Sequence, residues 1–256
     1  MKFSVLGSSS SGNSSFIEMG NKRFLIDAGF SGKKTIEKLE SINKNISDIN
    51  GILITHEHSD HIQGLGVLSR KHDLPIYISR QSYYSIKEKI GKIEDKNLNF
   101  IEQDLIFGEC FVKSFDVMHD AERCLGFSFE YNSKKLTYAS DIGFADKVVK
   151  ENFKNSDVIV LESNYDLNML MNGPYHWNLK NRVKSKNGHL SNGEVAKLIM
   201  EVAKKKKKKV YLLHISGDNN TPELAYNTVK ELLDREKINV ELEVVTEKAT
   251  LIYEVL

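Results

Sequence analysis

Gly51-Ile52-Leu53-Ile54-Thr55-His56-Glu57-His58-Ser59-Asp60-His61 decides how this chain is read. An apolar run of strand length ends in the pattern HxHxDH. His56 and His58 alternate, so in an extended tail their side chains point the same way. Asp60 and His61 fall where the chain turns into an apolar-periodic segment, Ile62, Leu65, Val67 and Leu68. A polar loop with scattered histidines would not gather three of the chain's eight histidines into one hexapeptide. Clustered imidazoles and a carboxylate at this spacing can reach two adjacent metal ions. The motif predicts a dinuclear metal hydrolase and is silent on substrate.

Further donors should lie at strand ends. His119 follows the strand Phe111-Val117, Asp141 follows Leu136-Tyr138, and His214 closes Tyr211-Leu212-Leu213. Each alone reads as an ordinary half-buried histidine or turn aspartate. Three such residues at apolar strand ends, beside HxHxDH, point to metal ligation, and a carboxylate such as Asp141 can bridge two cations. His189 differs. It precedes Ser191-Asn192-Gly193-Glu194, a capping box with Ser191 as N-cap and Glu194 at N3. It reads either as a loop histidine bonded to backbone or as an acid or transition-state stabiliser facing the metals. His72 and His176 read as surface residues.

Working outward, apolar strands alternate with amphipathic helices. Lys2-Leu6, Ser15-Met19 and Arg23-Ile26 form a meander. Helices are expected over Lys33-Ser41, Gln63-Lys71, Ser79-Lys89 and Ala145-Asn152, and they dominate from Leu161 to Lys205 with a break around Ser185-Leu190. Strands are expected at Gly51-Ile54, Ile76-Ile78, Phe111-Val117, Gly126-Tyr131, Lys135-Ala139, Asp157-Leu161, Val210-Leu213, Glu241-Val245 and Thr250-Val255. This suits two sheets packed between helix layers. With 256 residues and three prolines, no Pro- or Gly-rich linker divides the chain. We expect one domain over residues 1–256.

Lys+Arg 36 against Asp+Glu 35 is near balance, so composition does not call for a polyanionic partner. Carboxylates committed to metal would leave the remaining surface more basic than the sum. Cys110 and Cys124 are too few for a disulfide framework, which suits a reducing compartment. The apolar start, Met1 to Leu6, breaks at Gly7 and is too short for a signal peptide. No run approaches a membrane span. A cytoplasmic setting is the expectation.

Gly7-Ser8-Ser9-Ser10-Ser11-Gly12-Asn13 could present backbone N–H groups and the Ser11 and Asn13 side chains to a phosphate. It reads equally as a plain hairpin loop. Lys180, Arg182, Lys184 and Lys186 gather just before His189, where they could contact a nucleic-acid backbone. The run Lys204 to Lys209 reads as a solvated helix end.

These residues resemble those of the metallo-β-lactamase fold and, more narrowly, the YycJ/WalJ family of exonucleases. The resemblance runs through Val5 to Ser15, Leu25-Ile26-Asp27-Ala28-Gly29, Thr55 to His61, Ser140-Asp141-Ile142-Gly143, Leu161-Glu162-Ser163-Asn164, Gly188-His189-Leu190-Ser191-Asn192, and Leu213 to Ser216 with Asp218-Asn219-Asn220. HxHxDH identifies the superfamily only; the Glu162 and His189 segments are more selective. The resemblance implies an α/β (α+β) four-layer αββα sandwich with two divalent metal ions at the sheet edges. His56, His58 and His119 would hold one ion; Asp60, His61 and His214 the other; Asp141 would bridge. The related ribonucleases Z and J use a histidine shortly before the last ligand in catalysis, and His189 fits that place. Ile142 departs from the threonine more usual after the bridging aspartate. His176 beside Trp177 is also atypical.

Two cations about 3.5–4 Å apart can activate a hydroxide and stabilise both oxygens of an in-line displacement, as phosphodiester hydrolysis requires. Asp60 could steer a proton as well as bind metal. Histidine-rich ligation favours Zn, and the oxygen donors also accept Mn. The expectation is a 5′→3′ exonuclease with a nucleic-acid substrate, DNA ahead of RNA. The alternatives are a small-molecule (cyclic) phosphodiester hydrolase, a thioester hydrolase of glyoxalase II type, and a non-catalytic metal-bound module. The Gly188-to-Asn192 segment argues against the thioesterase, and the intact ligand set against the last.

Overall fold

The computed structural model describes residues 1–203, 208–246 and 248–255. β1 (Lys2–Ser9), β2 (Gly12–Met19) and β3 (Lys22–Ile26) form the expected antiparallel meander. The chain then alternates: α1 (Gly32–Ser41), β4 (Gly51–Leu53), α2 (Ser59–Ile62), α3 (Leu65–His72), β5 (Ile76–Ile78), α4 (Arg80–Ile90) and β6 (Leu98–Phe100). β3, β4, β5 and β6 pair in parallel. All three residues of β4 are buried, as a strand covered on both faces must be.

The second sheet repeats this plan. β7 (Leu105–Phe107), β8 (Cys110–Val117), β9 (Cys124–Tyr131) and β10 (Lys134–Ala139) are antiparallel. Crossovers follow through α5 (Lys147–Phe153), β11 (Val158–Glu162), α6 (Leu167–Asn172), α7 (Trp177–Val183), α8 (Asn192–Val202), β12 (Lys208–Leu213), α9 (Pro222–Arg235) and β13 (Val240–Val244). β10 to β13 pair in parallel. β14 (Tyr253–Glu254) returns to pair with β1.

Three apolar clusters define the layers. One lies between the sheets and includes Phe3, Ile17, Phe24, Phe127, Phe129, Tyr138 and Val160. A second packs Leu39, Leu65, Leu68 and Ile86 of α1, α3 and α4 on the first sheet. The third packs Val149, Val195, Ile199, Val229 and Leu233 of α5, α8 and α9 on the second. The result is the expected four-layer αββα sandwich. Truncating an interior ring such as Phe127 to alanine would cost about 3–5 kcal/mol.

The structure adds elements and corrects one. β6 and β7 have three residues each, too short for a clear period. α9 carries Thr221 as N-cap and proline in its first turn, but only Ala225, Val229 and Leu233 are buried, a thin stripe that periodicity overlooks. Of the run read as a helix end, Lys204 to Lys207 lie outside the described residues. Lys208 and Lys209 instead begin β12 and are buried. Lys209 Nζ pairs with Glu241 (2.8 Å) and Glu243 (2.6 Å), which is how a strand keeps that cation out of water. No helix among the described residues is long and apolar enough to cross a membrane.

Candidate metal centre

Six strands end at one edge of the sandwich, and each delivers polar side chains there. Asp27 follows β3, Thr55 and His56 follow β4, His119 follows β8, Asp141 follows β10, Glu162 closes β11 and His214 follows β12. Asp27, Asp141 and His214 sit in left-handed backbone, with φ of 62°, 55° and 57°. That conformation turns the chain sharply at the strand end, at a cost on the order of 1 kcal/mol or more per residue. Local strain of this kind is held by the surrounding sheets.

Two donor sets form side by side. His56, His58 and His119 bring one ligand atom each within 4.8 Å of one another, and Asp60, His61 and His214 do the same. Asp141 touches both sets: Oδ1 lies 3.7 Å from His119 Nε2, and Oδ2 lies 3.4 Å from His61 Nε2. The pocket between them has a volume of about 240 Å³.

The rings are aimed by their other nitrogens. His61 Nδ1 donates to Asp27 Oδ2 at 2.8 Å, and Thr55 holds Asp27 through both its N–H and its hydroxyl. His56 Nδ1 lies 3.0 Å from Thr55 Oγ1, and His119 Nδ1 donates to the Gly188 carbonyl at 3.1 Å. Each leaves Nε2 for the pocket, the usual arrangement of ligating histidines. His56 Nε2, His119 Nε2 and Asp141 Oδ2 are buried and have no hydrogen-bond partner among the described residues. Buried polar atoms are normally satisfied. Orphaned donor atoms clustered in this way, two of them on residues that line the pocket, fit divalent ions in type.

The electrostatics agree. Burial opposes the charged form of Asp141, yet His214, His61, His56 and His119 hold its carboxyl well below the usual range. Burial likewise lowers His61, but Asp27 and Asp141 draw it well above the ordinary imidazole value. His214 is pushed up to about 9, against burial, by Asp141, Glu162 and Asp60. His56 falls well below the ordinary value, chiefly through burial and the charge of His61. These carboxylates create a field that attracts positive charge, whether proton or metal ion.

Glu162 is the residue that sequence reasoning left without a role. It is fully buried, and both oxygens are committed. Oε1 accepts from the Ile142 and Leu190 N–H groups at 2.8 and 2.9 Å. Oε2 accepts from His189 Nδ1 at 2.9 Å and lies 3.4 Å from His214 Nδ1. Glu162, His189, His214 and Asp141 also form a set close enough to hold a cation. The full commitment of Glu162 makes it an orienting carboxylate. His189 lines the pocket with its Nδ1 already engaged.

The expected substrate residues fare unevenly. Asn13 is buried, and its Nδ2 donates to Asp60 Oδ2 at 3.0 Å and to the Ser9 carbonyl at 3.0 Å. Its Oδ1 accepts from Ser8 Oγ, which in turn accepts from the His214 N–H at 2.8 Å. Asn13 therefore braces Asp60 directly and His214 through Ser8. Lys180 is buried, with Nζ donating to the Met171 carbonyl at 2.8 Å, so it pins α7 to α6. Arg182 lines the pocket but pairs with Asp120 at 2.6 Å. Lys184 lies over the exposed Trp177 ring and Lys186 over Phe144. Ser11 is exposed at the tip of the β1–β2 hairpin. The capping box of Ser191 and Glu194 forms as expected.

A family model described as the beta-lactamase superfamily domain matches residues 22–215. The chain is 40% identical over 242 residues to exodeoxyribonuclease YycJ of Bacillus anthracis, covering 94% of this chain and 92% of that protein. It is 37% identical over 243 residues to exodeoxyribonuclease WalJ of Streptococcus pneumoniae, covering 93% and 90%. Among solved structures, the metallo-β-lactamase-fold protein YhfI of Bacillus subtilis superposes with a TM-score of 0.76 at 15% identity, over 98% of both chains. Yeast PDE1 does so at 0.74 and 12%, over 98% of this chain and 99% of that one. At such identities these two speak for the fold alone. Fold, donor geometry and sequence similarity converge: the chain belongs to the metallo-β-lactamase superfamily and, within it, to the YycJ/WalJ exonuclease family.

Proposed function

We propose that this metal-dependent phosphodiester hydrolase is a DNA exonuclease, working 5′→3′ with two divalent ions, Zn or Mn. The observation that carries the reading is the pair of three-residue donor sets joined by Asp141. His56, His58 and His119 would hold one ion, and Asp60, His61 and His214 the other. The near-complete coverage of two exodeoxyribonucleases supports DNA as substrate. Both cysteines are buried free thiols, which supports a reducing, cytoplasmic setting.

Bound in this pocket, divalent ions supply Lewis acidity and lower the pKa of water toward roughly 7. The protein's own groups do the rest. Asp141 spans the two donor sets and fixes their separation. Asp60, which Asn13 braces, would take up the proton of the attacking water. His189 is held through Nδ1 by Glu162, so its Nε2 is the group available to donate to a phosphate oxygen or to the leaving oxygen. Assays of single-stranded DNA, duplex DNA, RNA, a small phosphodiester and a thioester, with added Zn or Mn, test the reading. DNA should be the preferred substrate. Turnover of the thioester alone would overturn it.

A further inference from the structure

The metal pocket opens beside a cavity of about 480 Å³, twice its own volume, and the two share Ser10 and Asp60. We propose that this groove seats the terminal nucleotide of a DNA strand whose scissile phosphate lies in the metal pocket. The proposal rests on the phosphodiesterase reading above and adds where the leaving unit binds.

Size, chemistry and closure support it. A cavity of this volume falls within the roughly 300–1,000 Å³ of small-ligand sites, the class that includes one mononucleotide. Val67, half exposed, offers apolar contact for sugar and base, and Ser11 and Gln63 offer polar contacts. Arg70 and Lys89 make the wall cationic, and no ion pair engages Lys89 among the described residues. The one carboxylate on the lining, Asp60, stands at the boundary and belongs to the metal set. The groove backs onto the seam between α3 and α4. There Gly66 packs so closely that an added Cβ would lie 2.0 Å from the Ile90 carbonyl oxygen. Arg70 Nη1 clamps the same seam, donating to the carbonyls of Ile90 (2.7 Å) and Lys92 (3.1 Å). The seam closes the back wall of the groove. On this proposal its volume suits one unit, and the enzyme should release mononucleotides.

Val67→Trp fills the groove from an exposed position, and Lys89→Ala removes its unengaged cation. The substrates are a single-stranded oligodeoxynucleotide and bis(p-nitrophenyl) phosphate, with circular dichroism to verify folding. Val67→Trp should raise KM for the oligonucleotide about tenfold. Lys89→Ala should raise it about threefold and flatten its salt dependence. Turnover of the small diester should change less than twofold, and the unsubstituted enzyme should release mononucleotides. Unaltered oligonucleotide KM in both folded variants, equal losses on both substrates, or longer products overturn the groove. Failure of the nucleic-acid reading looks different: the unsubstituted enzyme would cleave the diester but no oligonucleotide, and the groove assignment would fall with it.

Discussion

At the scale of single residues, His189 is where coordination and chemistry are hardest to separate. It lies close enough to Asp141, Glu162 and His214 to join a metal set, yet Glu162 already claims its Nδ1. If it acts as proton donor, His189→Ala should lower kcat by about 10²–10⁴-fold. Metal content and most DNA affinity should survive, as elemental analysis and equilibrium binding would show. Loss of a metal would make it a ligand, and normal cleavage would make it structural. Asp141 gives the opposite expectation. Asp141→Ala removes the one carboxylate that, among the described residues, lies against both histidine sets, so both metals should be lost, and retention of two tightly bound ions would refute the bridge. The clustering of these donors was legible in the sequence because imidazoles and carboxylates at apolar strand ends have few structural uses. Glu162, Asn13 and Lys180 were not, because their roles depend on what the fold places beside them. Glu162 meets residues 20 to 52 positions away, and Asn13 reaches Asp60 across 47.

At the scale of elements, α2 shows how closely the ligand motif depends on a distant glycine. Gly29 follows β3, and a Cβ there would lie 1.7 Å from the Asp60 carbonyl oxygen and 2.5 Å from Asn13 N. Only a bare backbone lets the β2–β3 edge approach α2 this closely. Gly29→Ala must push α2 away and carry Asp60 and His61 with it. Overpacking of this kind costs about 1–3 kcal/mol. The variant should fold, with lower thermal stability, and should bind the Asp60/His61/His214 ion more weakly than the other. Unaltered affinity at both positions would mean that α2 is not held by this contact. Long elements with strong periodicity, such as α8 with its capping box, could be read directly from sequence. β6, β7 and α9 could not, because strands of three residues and a thin apolar stripe carry little periodic signal.

At the scale of the whole molecule, stability and activity should respond to different groups. Glu18 lies far along β2 from the site and is nearly buried among cations. Arg23 Nε and Lys44 Nζ each approach it to 2.7 Å, and Lys2 to 3.6 Å. Burial would raise its pKa, but Lys44 and Arg23 outweigh that and bring it to about 2 from 4.5. A depressed folded-state pKa adds stability that is fully present above the unfolded value. That contribution should fade as pH falls from about 4.5 to about 2. Urea denaturation at intervals across this window should show a shallower acid loss in Glu18→Gln, and an identical slope in both proteins would rule the cluster out. The central claim concerns the joined donor sets, and stoichiometric reconstitution tests it most directly. Chelator-stripped protein is titrated with Mn or Zn while hydrolysis of a single-stranded oligodeoxynucleotide is followed. The account predicts no cleavage without metal and full activity only as the second equivalent binds. Cleavage without metal, or activity complete at one equivalent, would contradict it.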